Sequence, residues 1–307
     1  MFLIGPSQKF LMIYAVIVTY NPDLDSLARL LERLQPQLDQ IVVVDNASSG
    51  SIGKLAKLVA AAQAVLIENP SNLGIAEALN QGASIAREAQ ADYLAFFDQD
   101  SLPAEDMVAT LFNAFESKQV QGINVAAVGP SYTDVKGQHD APFVRIDGIR
   151  LRRVECAEHQ TVSVDHLISS GSLLSMSALA DIGGMENGLF IDYVDTEWCL
   201  RAKSKGYQLY GVADATMSHD LGDSLVSFMG RKLHVHSPLR YYYLIRNGVW
   251  VLRQPWVTFK WRLLDIRRLF LIYIVYSLFI GDRVNNWKMM SRGFWHGLIG
   301  NMGKLNK

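Results

Sequence analysis

Five short blocks of consecutive apolar, often β-branched residues punctuate the first 130 positions: Met12–Thr19, Ile41–Val44, Ala64–Glu68, Leu94–Phe97 and Val125–Gly129. Runs this short and this continuous read as strands buried on both faces. Between them the apolar positions change period. Leu24, Leu27, Leu30, Leu31, Leu34 and Leu38 recur at helical spacing, a second helix is predicted over 52–62, and a third opens at Gly74 with Ala76, Leu79, Ala83 and Ala86 on its inner face. A fourth is predicted over 104–117. Strands alternating with helices at this spacing predict an α/β fold: a Rossmann-like mixed, mainly parallel sheet with helices on both faces.

The alternation fails after Gly129. Residues 130–170 carry Gly137, Pro142, Gly148 and short alternating runs, which predicts a hairpin-rich insertion. Ser169–Leu174 resumes a core strand with close backbone approach at Gly171. A helix is expected from Asp195 to Gly206, with Glu197 and Arg201 four apart on one face. A strand-like run at Tyr207–Val212 then leads to Ala213–Ser218 and on to His219-Asp220. We expect a catalytic domain over 1–230 and a helical extension over 231–307.

Polar residues collect at the ends of the predicted strands: Thr19-Tyr20-Asn21, Asp45-Asn46, Asn72, and Asp98 with Asp100. Open α/β sheets bind ligands at the carboxyl ends of their strands, so these positions predict one nucleotide-type crevice. In extended backbone alternate side chains share a face, and two carboxylates so placed suit a hard divalent cation that also bridges substrate phosphates. The competing reading is an acidic turn capping the helix near Ala104. Asp195 likewise reads as a helix cap or a functional carboxylate. His219 reads as a structural histidine or, downstream of three acidic clusters, as a nitrogen ligand.

Charge alters the picture of the extension. The chain of 307 residues has a net charge of −1, yet from Arg231 onward it holds 14 Lys and Arg against 2 acidic residues, while the remainder holds 15 basic and 28 acidic. A basic, aromatic-rich segment on an acidic body points to a polyanionic surface, nucleic acid or anionic lipid, and no nucleic-acid reading motif accompanies it. Leu269–Ile280 is apolar over twelve residues, short of the roughly 20 needed to span a bilayer. Flanked by Arg267, Arg268 and Arg283 and by Trp256, Trp261, Trp287 and Trp295, it fits a helix lying in the membrane interface; a buried helix packed on the catalytic domain or a sister subunit is the alternative. Cys156 and Cys199 have no metal or disulfide spacing and read as free thiols of a reducing compartment. The apolar Met1-Phe2-Leu3-Ile4 lacks a basic flank and a cleavage site, so no signal peptide is expected.

Seven motifs in order resemble one family: VIVTYNP at Val16–Pro22, VVVDNAS at Val42–Ser48, NPSNLGIAEALNQG at Asn69–Gly82, FFDQDS at Phe96–Ser101, SSGSLLS at Ser169–Ser175, DYVDTEWCLRA at Asp192–Ala202 and SHDLG at Ser218–Gly222. The chain resembles the family-2 inverting glycosyltransferases with the A-type nucleotide-sugar fold, and more narrowly the bacterial rhamnosyltransferases that build surface polysaccharide of the O-antigen or capsule type. The resemblance implies an enzyme that moves L-rhamnose from dTDP-L-rhamnose to a lipid-linked saccharide. It would work with Mg2+ or Mn2+, peripherally on the cytoplasmic face of the cell membrane, possibly as a homo-oligomer and without nucleic acid.

Residue by residue, the resemblance implies that Thr19 and Tyr20 border the base, Asp45 beside Asn46 accepts from the pyrimidine, and Asn72, Gly74 and Asn80 line nucleotide and sugar. Asp98 and Gln99 would sit at the ribose and metal, Asp100 would be the direct metal ligand, and His219 would complete the metal or diphosphate contact. Ser170, Gly171 and Glu197 would face the acceptor. Family members carry a Glu-Asp pair whose Asp is the base; here Val194-Asp195 stands in that register. Asp195 is the expected base and Asp192 its rival. Two alternatives stay open: a UDP-hexose donor with the same mechanism, and a non-catalytic saccharide-binding or membrane scaffold.

Overall fold

The computed structural model describes residues 11–50, 52–134, 139–148, 150–154, 159–219, 224–228 and 231–305. Cys156, Asp220 and the first ten residues lie outside them, and His219 is described for its backbone alone.

Strand β1 (Ile13–Thr19) leads into helix α1 (Leu24–Leu34), β2 (Gln40–Asp45), α2 (Ile52–Ala61), β3 (Val65–Glu68), α3 (Ile75–Glu88) and β4 (Tyr93–Asp98). These four strands pair in parallel, in the order β3-β2-β1-β4. The predicted alternation is therefore the observed one. The α1 stripe works as its spacing predicts: Leu27, Leu30, Leu31 and Leu34 are buried, each contributing about 1.5–3 kcal/mol of hydrophobic stabilisation. Asp23 caps the helix by accepting from the Ser26 amide at 2.7 Å.

Beyond β4 come a short strand β5 (Ser101–Pro103), α4 (Met107–Val120) and the long β6 (Val125–Asp134). The predicted hairpin-rich insertion consists of β7 (His139–Ala141), β8 (Phe143–Asp147), β9 (Arg150–Val154) and β10 (Thr161–Val164). Then follow β11 (Leu173–Ser175), a helix α5 (Met176–Ile182) that the sequence pattern did not predict, α6 (Val194–Ser204) and β12 (Gln208–His219). The sheet continues from β4 through β11, β6 and β12 to β10. β11 runs antiparallel to both neighbours, whereas β6 and β12 are parallel. Alternate residues of one strand feed opposite layers: Val16, Leu94 and Phe96 pack on the α3 side, and Ile17, Ala95 and Phe97 on the α1–α4 side.

After the hairpin of β13 (Ser224–Phe228) and β14 (Arg231–Val235), the chain ends in α7 (Pro238–Leu252), α8 (Phe259–Leu278) and α9 (Arg283–Ile299). One hydrophobic cluster runs from Val16 and Phe96 through Leu189, Tyr193 and Trp198 to Tyr241, Ile245 and Leu269. The helices of the extension thus share a hydrophobic cluster with one layer of the sheet. α9 lies close against α7 because Gly293 and Gly297 have no side chains; a Cβ at either would stand 2.5 Å from the carbonyl oxygen of Tyr242 or Arg246, respectively. No helix among the described residues is long and apolar enough to cross a membrane.

Candidate active site

The carboxyl ends of β1, β2 and β4 open into a cleft of about 540 Å³. Tyr20, Asn46, Asn72, Gly74, Asp98, Gln99 and Asp100 line it together with Ser169, Asp192, Tyr193, Asp195 and Arg240. Four carboxylates thus share one opening. The order of the strands explains the meeting: Thr19, Asp45 and Asp98 end adjacent parallel strands.

Short hydrogen bonds fix the nucleotide-side rim. The Tyr20 amide donates to Gln99 Oε1 at 2.8 Å. Asn46 donates to the Gly74 carbonyl at 3.0 Å and accepts from the Leu73 amide at 3.0 Å. Gly74 has φ +89°, and a Cβ there would stand 2.5 Å from the Phe190 carbonyl oxygen. That oxygen accepts from the Ile75 amide at 2.7 Å, so the first turn of α3 is capped by the opposite wall of the cleft.

The opposite wall is a loop in unusual backbone. Phe190, Asp192 and Tyr193 all have φ between 60° and 66°, a region that costs L-residues free energy and persists only when the surroundings enforce it. The enforcement comes from α7. Arg246 and Asn247 are fully buried. Arg246 Nη2 donates to the carbonyls of Gly188 at 3.0 Å and Leu189 at 2.7 Å, and its Nη1 reaches the Gly303 carbonyl. The Asn247 amide faces the carbonyls of Leu189, Ile191 and Asp192 at 2.9, 2.6 and 2.9 Å. Tyr193 adds a third tie, donating to Asp265 of α8 at 2.7 Å, with Arg268 over its ring. The Gly303 amide closes the frame on the Gly188 carbonyl at 2.7 Å.

The carboxyl pKa values of Asp192 and Asp195 on this wall are shifted in opposite directions. Burial pushes Asp192 above the ordinary carboxylate range, against the pull of Arg240 (3.4 Å) and His236. Burial also acts on Asp195, but the neighbouring His166 and the Thr196 amide, which donates at 2.7 Å, outweigh it and hold the carboxyl below its ordinary value. Asp195 therefore stays ionised at neutral pH, as a proton acceptor must. It is not a helix cap: α6 starts at Val194, behind a left-handed Tyr193. Cys199 nearby is a buried free thiol pushed up to about 12 by burial, which makes it inert.

Several of the expected residues do not line the cleft. Thr19 and Asp45 reach the rim but brace its wall rather than line it: Asp45 is buried and accepts from Thr19 Oγ1 at 2.9 Å and from the Ser48 amide at 2.8 Å. Asn80 turns away, exchanging hydrogen bonds with Met185 and Asn187. Ser170 is buried and supports the end of β4: its Oγ accepts from the Asp98 amide at 3.1 Å and pairs with Ser101 Oγ at 2.6 Å. Gly171 is buried in the sheet, its amide on the Phe96 carbonyl at 2.7 Å. Glu197 forms the pair anticipated with Arg201, at 2.7 and 2.8 Å, but inside the protein rather than at the acceptor face. The backbone of His219 pairs with Ser101, next to Asp100. Sequence reasoning did not single out His166 or the Tyr193–Asp265 bond, and it took Arg246 and Asn247 only as part of the basic extension.

No group of three His, Cys, Asp or Glu side chains able to hold a metal forms among the described residues. Asp98 and Asp100 nonetheless offer oxygen ligands at one edge of the cleft. That donor set fits a hard cation that takes its remaining ligands from substrate phosphates and water.

Comparison with known proteins agrees with this architecture. Residues 14–183 match the family described as glycosyl transferase family 2. The chain is 36% identical over 282 residues to the dTDP-rhamnosyl transferase RfbF of Shigella flexneri, spanning 91% of this chain and 92% of that protein. Among solved structures, GalNAc-T7 with UDP, GalNAc and Mn2+ superposes with a TM-score of 0.60 at 15% identity, covering 95% of this chain but only 57% of that one. TarS 1–349 of S. aureus in complex with UDP-GlcNAc gives a TM-score of 0.58 at 15% identity, covering 94% and 81%. The likeness to these structures shows the shared glycosyltransferase A-type fold, and the family match together with the RfbF identity places the chain in glycosyl transferase family 2.

Proposed function

We propose that this chain is an inverting rhamnosyltransferase that moves L-rhamnose from dTDP-L-rhamnose onto a lipid-linked saccharide of surface polysaccharide. The reading of the reaction rests above all on one observation: Asp98, Asp100, Asp192 and Asp195 line a single cleft. The choice of donor is supported by the identity to RfbF. Tyr20, Asn46, Asn72 and Gln99 hold the nucleotide. Asp98 and Asp100 hold a divalent ion, Mg2+ or Mn2+, which supplies neutralisation of charge on the departing diphosphate. Asp195 takes the proton of the acceptor hydroxyl as it attacks the anomeric carbon from the side opposite the leaving group. Asp192, held by Arg240, orients the acceptor.

A donor panel tests this. Full-length protein is expected to release nucleotide fastest from dTDP-L-rhamnose, and to stop on chelation with EDTA. Faster turnover of a UDP-hexose would end the rhamnosyl assignment while leaving the fold and base intact.

The extension supplies the membrane contact. Its inner stripe, Trp261, Asp265, Leu269 and Tyr276 of α8 and Met290, Gly293 and Gly297 of α9, is buried. Its outer face exposes Phe259, Ile266, Phe270, Trp287, Phe294 and Trp295, with Lys260, Arg267, Arg283, Lys288 and Arg292 exposed among them. Apolar and cationic groups on one face suit an anionic bilayer surface. A second copy meeting this face about a two-fold axis would set like charge on like charge. The enzyme accordingly sits peripherally on the cytoplasmic leaflet.

Sedimentation with phosphatidylglycerol vesicles at low salt should pellet the intact protein. The double variant Phe270→Glu, Trp295→Glu should remain in solution with its donor hydrolysis unchanged. Intact protein that never pellets would instead assign this face to another partner. Point substitutions are the right tool, because truncating α8 also removes Asp265 and Arg268 from behind Tyr193.

A further inference from the structure

Behind Asp195, on the side away from the metal edge, lies His166. Its Nε2 is buried, has no hydrogen-bond partner among the described residues, and stands 3.6 Å from Asp195 Oδ1. That distance is long for a hydrogen bond, and catalytic contacts of this kind commonly tighten only when substrate is bound. The ring also lines a second cavity of about 260 Å³ with Tyr132, Pro142 and Phe143. The histidine is held from both sides: its backbone bridges to Val144 of β8, and the preceding Asp165 is committed to Lys203 of α6.

We propose that His166 is a positioning residue that holds Asp195 through Nε2, which stands within reach of its Oδ1. This rests on Asp195 being the base. The acceptor O–H bond breaks and its oxygen bonds to the anomeric carbon as the bond from that carbon to the diphosphate oxygen breaks. The proton goes to Asp195, which releases it to water in the open cleft before the next turnover.

The other titratable groups that act on Asp195 are Asp192 of the strained loop, Arg268 of α8 and the Cys199 thiol. His166 and the Thr196 hydrogen bonds are what hold the Asp195 carboxyl down against burial. Removing the imidazole leaves burial less opposed, so the Asp195 pKa must rise.

The test is the pH profile of dTDP-L-rhamnose hydrolysis by full-length protein, in which water takes the place of the acceptor. His166→Gln is expected to lower kcat by about 10- to 100-fold, as outer-shell partners do. It should also move the acidic limb of kcat to higher pH and leave the KM for dTDP-L-rhamnose unchanged. His166→Asn, shorter and without strain on the cavity wall, is the second variant, with thermal melting of both to confirm the fold. An acidic limb that stays in place in a folded variant overturns the proposal, whatever happens to the rate. Asp195→Asn separates the two readings. If it keeps full hydrolysis, the base assignment has failed; if it is inactive while the His166 variants keep the native profile, only the positioning role of His166 has failed.

Discussion

Replacing Asp195 by asparagine is expected to lower donor turnover by about 10²- to 10⁴-fold, the contribution of a positioned general base, while dTDP still binds. The substitution keeps the shape of the side chain and its hydrogen bond to the Thr196 amide, so the loop should hold its form. Asp192→Asn should cost less, because burial already opposes its charge and Arg240 engages one of its oxygens. The order of the two losses decides between the carboxylates. Equal losses, or a larger one at Asp192, would transfer the role. The pH dependence has a definite sign. Asp195 lies below the ordinary carboxylate value, so its negative form persists through neutral pH and activity falls only as acid approaches that lowered pKa. Linkage gives stability the same direction: the contribution of this group is present above its unfolded pKa and is lost as pH falls through the folded one.

The second large effect is expected from a residue that touches no substrate. Asn247→Ala removes the donor shared by the carbonyls of Leu189, Ile191 and Asp192. Each carbonyl left buried without a partner costs about 1–3 kcal/mol. Without the tie, the left-handed backbone at Asp192 and Tyr193 has less to enforce it. A displacement of the base by an ångström is enough to cost about 10²-fold in rate. Affinity for dTDP should change far less, because Tyr20, Asn46 and Gln99 are fixed by the sheet and by one another. Proportional loss of turnover and of dTDP affinity in calorimetry would mean that the whole cleft, and not the loop, depends on α7. No loss of either would show that the loop needs no brace.

The contrast between these residues explains what could be read from the sequence. Strands β1 to β4 and their helices were legible because each is specified locally, by a β-branched run or by leucines at helical spacing. The cleft followed from the general rule about strand ends, so Tyr20, Asn46, Asp98 and Asp100 were found where a ligand would sit. Direction was harder. Asn80 and Glu197 carry suitable groups on suitable elements, yet both turn inward, toward Met185 and Arg201. Which way a helix faces is decided by packing partners far along the chain. α5 was missed because seven residues are too few to show a helical period. His166 sits alone in an irregular segment, and only the fold brings it to Asp195. Arg246-Asn247 looked like part of a basic tail because nothing local says that a cation in such a tail is buried on carbonyls.

The bonds from Arg246 and Asn247 to the 188–192 loop join residues 55 to 58 positions apart, and the Tyr20–Gln99 bond of the nucleotide-side wall joins residues 79 apart. Both walls thus wait on contacts that close long stretches of chain, one on the pairing of β1 with β4 and the other on the docking of α7. A chain whose sheet has formed but whose α7 has not docked has a pocket for the nucleotide and no fixed base, so the competence to bind donor and the competence to transfer it rest on different contacts.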